Sequence, residues 1–205
     1  MSEKIKQDMN FLEYPLWFQN SRLAEQQEDG YAWQDRERFV HRTGYKPPVK
    51  TDYMFLCYLL LISQQADWES EIETTHYEVL KACDIIPGKK SYDRLKDSLK
   101  RWKNISLEFQ GTFYDGEKYL FLNFGIIDDW NIDEETKRLR VAFNRKWLLC
   151  TRESTFFKFL DFKQIKELNS SLPIRLYEIL IKAFQGRNVW KTDALKLAEK
   201  IPLAQ

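Results

Sequence analysis

GKKSYDRLKDSLKRWK, residues 88–103, sets Lys89, Lys90, Arg94, Lys96, Lys100, Arg101 and Lys103 against only Asp93 and Asp97, in a chain whose formal net charge is +1. Within it Tyr92, Leu95, Leu99 and Trp102 recur at three- and four-residue spacing. The spacing predicts a helix over 91–102 with one apolar stripe turned inward and the cations on the remaining surface. Positive charge concentrated in this way suits the phosphates of a polyanion. A solvated lysine-rich surface helix has the same composition, so the neighbours of the segment decide between the two readings.

Upstream, DYMFLCYLLLISQQ (52–65) is apolar on nearly every side and follows Pro47, Pro48 and a cap at Thr51 or Asp52, as expected of a buried central helix. Ile72 marks a short extended stretch. Thr75 with Glu78 three residues on forms a capping box for HYEVLKACDI (76–85), whose Tyr77, Val79, Leu80 and Cys83 supply an inward face. Pro87 and Gly88 make the turn into the basic helix. Downstream, 105–110 alternates, Tyr114-Asp115-Gly116-Glu117 supplies a hairpin turn, and 119–127 alternates again. An acidic loop follows over 128–135, and 138–143 is expected to return as a third strand.

Helix, helix, basic helix and then a three-stranded antiparallel hairpin or meander is the order of a winged helix, an α+β fold whose third helix lies along the major groove. The cationic segment occupies that slot, which favours DNA. Lys89, Lys90, Ser91 and Tyr92 are expected to meet it at the start of the helix, where backbone N–H groups also favour phosphate. Arg94 is the candidate for a base edge, because its fork can grip guanine; Lys96, Lys100, Arg101 and Lys103 are assigned to the backbone. Lys96 and Lys103 lie opposite the apolar stripe and are expected to be the most exposed. Asp128, Asp129, Asp133, Glu134 and Glu135 would be repelled by phosphate and are expected to point away from DNA at a solvated loop tip.

Further on, helices are expected over 144–150, 161–169 and 171–185, the last with Leu172, Ile174, Leu176, Ile179, Leu180 and Phe184 apolar and Gly186 ending it. Val189-Trp190-Lys191-Thr192 and DALKLAEKIPL (193–203) then echo the earlier extended piece and second helix. The expected organisation is an aromatic-rich helical extension over 1–50, a first winged helix over 51–187, and over 188–205 the start of a second one, truncated before its basic helix. Trp17, Phe18, Trp33 and Phe39 of the extension are expected to pack on the core.

A chain 43% hydrophobic and 31% charged is not disordered by composition. The longest apolar run, 53–62, is too short for a bilayer and no secretory signal is visible, so a cytoplasmic, non-membrane protein is expected. Cys57, Cys83 and Cys150 are odd in number and widely spaced, which suits buried reduced thiols. His41 and His76 stand apart, so neither a metal site nor the histidine pair and tyrosine of a nucleophilic nuclease is expected. Residues 87–91 lack the glycine spacing of a phosphate loop, Cys83 standing where the first glycine belongs. Neither a cofactor nor catalysis is expected.

HYEVLKACDI, then KKSYDRLKDSLKRW leading into NISLEF, then VAFNRKWLL, and above all LPIRLYEIL at 172–180, give the chain its family likeness. Their succession over 51–203 resembles the plasmid replication-initiator proteins, a tandem winged-helix family that binds origin repeats and starts theta-type replication. The resemblance implies double-stranded origin DNA as partner, recruitment of host replication proteins, and a first domain that also forms homodimers. It further implies that the main base-specific contacts lie in the second winged helix. Arg175 and Glu178, three apart on one helix face, read as a weak surface pair, and Leu176 and Tyr177 as core. The alternatives are a winged-helix interaction or dimerisation module, and a transcriptional repressor with the same DNA chemistry.

Overall fold

The computed structural model describes residues 3–35, 38–184, 186 and 189–201. In chain order the elements are β1 (Lys4–Asp8), α1 (Met9–Glu13), α2 (Ser21–Gln26), β2 (Tyr31–Asp35), β3 (Phe39–Thr43), α3 (Lys50–Gln65), β4 (Glu71–Thr75), α4 (His76–Ala82) and α5 (Lys89–Lys103). There follow β5 (Ile105–Tyr114), β6 (Tyr119–Phe124), β7 (Ile127–Ile132), β8 (Arg138–Phe143), α6 (Arg145–Glu153), β9 (Phe157–Asp161), α7 (Phe162–Glu167), α8 (Ser171–Ala183) and α9 (Ala194–Ala198). Mixed helices and antiparallel sheets are the result, with strand orders β1-β9, β2-β3-β5-β6 and β4-β8-β7.

Helix α3 runs through the middle because its sequence has no polar face to offer water: Phe55, Leu56, Leu59, Leu60 and Leu61 are all buried. Trp17 stacks on Tyr53 at 5.1 Å, and Phe11 meets Phe109, Phe113 and Phe124 edge-on. The four aromatics expected to pack from the N-terminal segment, Trp17, Phe18, Trp33 and Phe39, are buried. Full burial of side chains of this size contributes about 1.5–3 kcal/mol each.

Three expectations change here. Tyr31–Asp35 and Phe39–Thr43 are strands rather than part of a helical extension: Trp33 faces His41 across β2–β3, and Phe39 of β3 pairs with Phe109 of β5. The three strands expected as one meander belong to two sheets. A bulge between Phe109 and Phe113, with Gly111 at φ 68°, bends β5 within the β5–β6 hairpin, whereas β8 pairs with β4 in the register Ile72↔Val141 and with β7 in the register Trp130↔Val141. Residues 128–132, expected as loop, are β7. A register irregularity between Ile127 and Asp129 turns Asp128 and Asp129 both outward while Trp130 and Ile132 pack on the core. The turn is confined to 133–137.

The three cysteines are free, Cys57 and Cys83 buried and Cys150 half-buried. Burial pushes the Cys83 thiol up to about 12 and that of Cys150 to about 11, which keeps both unreactive near neutrality. No helix among the described residues is long and apolar enough to cross a membrane. Toward the C-terminus, 189–193 forms no strand and α9 is a single short helix capped by Asp193. Gln185, Asn188 and residues 202–205, on which parts of the expected final helix and second module fall, lie outside the described residues.

Candidate nucleic-acid interface

The surface is built on two helices and a hairpin. Thr75 and Glu78 form the expected capping box: the Thr75 hydroxyl accepts from the Glu78 N–H at 3.1 Å and the Glu78 carboxylate accepts from the Thr75 N–H at 2.9 Å. After α4 the chain reverses through Asp84 at φ 56°. The Gly88 carbonyl accepts from the Tyr92 N–H at 2.9 Å to open α5. Leu95, Leu99 and Trp102 are completely buried, and the Trp102 indole donates to the Asp52 carbonyl at 2.9 Å, docking α5 across α3. On the far side, the Asp133 carboxylate accepts from the Glu135 and Thr136 N–H groups at 2.8 and 3.0 Å. This fixes the β7–β8 turn beside α5.

The cations of α5 divide into three groups. Arg94 and Arg101 are committed inward. Arg94 lies 2.7 Å from Asp52 Oδ1 and donates to its Oδ2 at 2.8 Å. Arg101, 1% exposed, donates to Asp97 at 2.8 Å, to the Pro47 carbonyl at 3.0 Å and to Glu25, with Asp52 at 3.6 Å. The Arg101 guanidinium, buried in this arrangement, is not set out as a backbone contact; Arg94, its side chain 28% exposed, is held by Asp52 and Asp97 rather than displayed as a free fork. The partners explain it: the row 94, 98 and 101 is the flank of α5 turned toward Asp52 of α3 and the Pro47 segment, whereas the row 96, 100 and 103 on the other flank is not.

Lys96 and Lys103 form the second group. Expected to be the most exposed cations of the helix, they are only partly so, Lys96 at 39% and Lys103 at 44% of the side chain, because each meets a carboxylate of the β7–β8 hairpin: Lys96 with Glu134 at 3.1 Å and Lys103 with Asp129 at 2.6 Å. The acidic hairpin therefore faces the basic helix instead of pointing away from it. Pairs this open to water are worth about 0–1 kcal/mol and weaken with salt, so a competing phosphate can open them.

Lys89, Lys90 and Lys100 make up the third group. All are exposed, and no carboxylate lies within ion-pair distance of any of them among the contacts of the described residues. The Lys100 ammonium stands 3.8 Å from the centre of the Tyr45 ring, which props it outward. Ser91 and Tyr92 are half-buried: the serine hydroxyl donates to the Ile86 carbonyl at 2.8 Å, and the Tyr92 ring lies 5.5 Å from His76.

Tyr45, which no pattern in the sequence singles out, joins both faces of the helix: its ring holds Lys100 and its hydroxyl donates to Asp97 at 2.9 Å. Burial pushes the Asp97 carboxyl up, but Arg101, the Tyr45 hydroxyl and Arg94 outweigh it and hold the group below the usual carboxylate range. Because that value is depressed in the folded chain, the stabilisation it gives is present at neutral pH and is lost as pH falls through the folded value.

The Arg175–Glu178 pair also departs from expectation. Both side chains are buried, 3.0 Å apart. Arg175 also donates to the carbonyls of Leu12, Glu13 and Lys200 at 3.1, 2.9 and 3.0 Å. It thereby satisfies carbonyls at the end of α1 that have no helical partner and ties them to α8 and to the chain after α9. The motif is an internal clamp, not a surface contact.

The described residues thus form a mixed fold with antiparallel sheets and a cationic face on α5. Residues 36–181 match the family described as Initiator Replication protein, WH1, and the chain belongs to that family. A Wigglesworthia glossinidia brevipalpis protein described as a replication protein is 27% identical over 154 residues, covering 63% of this chain and 52% of that one, so the chain spans about half the length of this relative. Among solved structures, domains 2 and 3 of RctB superpose with a TM-score of 0.59 at 13% identity over 87% of this chain and 71% of that one. A second structure of the same domains gives 0.54 at 12% identity, over 84% and 69%. At such identities the likeness is one of fold.

Proposed function

We propose that the chain is a DNA-contacting module of a replication initiator, a winged helix that holds duplex origin DNA by its backbone through the exposed cations of α5. The observation that carries this reading is the exposure of Lys89, Lys90 and Lys100, free of carboxylate partners among the described residues, on a helix of a chain belonging to an initiator family. The chain order supports the winged-helix assignment: α3, β4, α4 and α5 are followed by a hairpin whose second strand, β8, pairs with β4. In this reading the wing is β7–β8, and β5–β6 is an insertion carried by the other sheet. The first domain covers 51–187 with 1–50 packed upon it, supported by the β1–β9 and β3–β5 pairings, and 188–205 begins a second module. With both arginines of α5 committed inward, the module contributes affinity and orientation, and base-specific recognition rests elsewhere in the initiator. A cytoplasmic site of action follows from the same reading.

Dimerisation is the second function we infer. Strand β6 ends the four-stranded sheet and carries Tyr119 and Phe121 at 69% and 65% exposure, an apolar edge suited to another copy of the chain.

Duplex binding measured by fluorescence anisotropy should weaken steeply with salt, with a log–log slope of roughly −3 to −5 for three to five phosphate contacts. Undetectable binding to any duplex at low salt favours the interaction-module reading instead. An initiator role further requires that a plasmid carrying the cognate origin is lost when this gene is deleted; maintenance without it leaves a repressor.

A further inference from the structure

A cavity of about 600 Å³ opens between α4, α5 and the β7–β8 turn, lined by His76, Tyr92, Lys89, Lys96, Lys137 and Glu134 among others. Glu134 occupies it in an unusual way. One carboxylate oxygen lies 3.1 Å from the Lys96 ammonium and the other 3.2 Å from that of Lys137, so a single anion bridges cations on the helix and on its own turn. Beside them, His76 is 7% exposed and its Nε2 has no hydrogen-bonding partner. A buried polar atom left in that state costs free energy, and here it borders a ring of ammonium groups.

We infer that this cavity is a phosphate site whose place Glu134 holds in the free protein, and that a backbone phosphate of DNA displaces the Glu134 carboxylate from Lys96 and Lys137. The inference rests on the nucleic-acid reading above and names a subsite within it. Displacement costs little, because both ion pairs are solvent-exposed and screened, and the Glu134 side chain, 66% exposed, can swing into water. The incoming phosphate gains both ammonium groups, Lys89 at the rim and the unsatisfied His76 nitrogen. Burial and the Lys96 and Lys137 charges hold the imidazole below its usual value while Glu134 opposes them; a backbone phosphodiester bound there carries the same single negative charge as Glu134 and in addition accepts a hydrogen bond from the imidazole, which favours its charged form. Asp93, the other carboxylate of the cavity, does not pair with these lysines.

Glu134→Gln on the exposed turn tests the inference with the full chain. The variant should bind a given duplex about twofold to fivefold more tightly at low salt, the fold-change equivalent of one exposed ion pair. Its salt slope should steepen by about one unit, since no carboxylate must be released. In NMR spectra the His76 ring signals should move on adding duplex, and inorganic phosphate should move them at lower concentration in the variant than in the unmodified chain. Salt-dependent duplex binding that is identical in both proteins, with His76 unmoved, overturns the subsite and leaves the nucleic-acid reading standing. A response to inorganic phosphate with no duplex binding in either protein overturns the DNA source together with that reading.

Discussion

Replacing Asp52 with alanine should lower the unfolding free energy by about 3–5 kcal/mol, the cost of breaking a buried ion pair from one side. Asp52 is completely buried and serves three groups at once: it accepts from the Val49 N–H at 2.7 Å at the start of α3, it faces Arg94 through both oxygens, and it lies 3.6 Å from Arg101. Loss of a helix cap alone costs about 1 kcal/mol. The larger figure applies because Arg101 has no route to water and keeps only Asp97, Glu25 and the Pro47 carbonyl. In a domain of this size the loss corresponds to a fall in Tm of about 6–20 °C. Asp52→Asn, which keeps an acceptor for Val49 but no charge, should fall between the two. Urea unfolding decides it: a loss under about 1 kcal/mol for the alanine variant means that the α3–α5 junction is held by Leu95, Leu99 and Trp102, and that the charges are incidental.

A comparable loss is expected for Arg175→Met, which preserves length and apolar stem but leaves Glu178 buried beside the Trp17 indole, 3.5 Å away, with no cation. It also strands the carbonyls of Leu12, Glu13 and Lys200. Two readouts separate this from a general packing defect. Amide exchange should rise first around 194–201 and at the end of α1, which the guanidinium joins. The double variant Arg175→Met, Glu178→Leu should recover part of the lost stability, because no unpaired charge remains. A double variant at least as unstable as the single one contradicts the clamp.

What the sequence disclosed about this molecule was short-ranged. The Thr75–Glu78 capping box, the apolar α3 and the stripe of Tyr92, Leu95, Leu99 and Trp102 all depend on residues three or four apart, where helical periodicity alone dictates geometry. Strand partnership does not: β8 finds β4 across the whole α4–α5 segment, and alternation in 105–124 is equally compatible with a wing or with the β3 edge it meets. The polar lead-in hid β1, because in Lys4–Asp8 only Ile5 is apolar and its pairing with Leu160 lies at the other end of the chain. The fate of the cations was hidden for the same reason. Asp52, Glu25 and Pro47 lie far upstream of Arg94 and Arg101, and Asp129 and Glu134 far downstream of Lys103 and Lys96. A helical wheel does not supply that answer, since Arg94 and Arg101 stand as far round from the buried stripe as Lys89 and Lys100 do; what turns the arginines inward is Asp52 together with the Pro47 carbonyl and Glu25.

This division of the helix gives the account its sharpest test. The slope of log Kd against log salt for duplex binding should be measured for the unmodified chain, for the triple variant Lys89→Ala, Lys90→Ala, Lys100→Ala, and for Lys163→Ala on α7 as a control. The triple variant should stay folded, bind more weakly and lose up to about three units of slope, while the control loses none. An unchanged slope in the triple variant contradicts it, because the exposed face of α5 would then carry no phosphate.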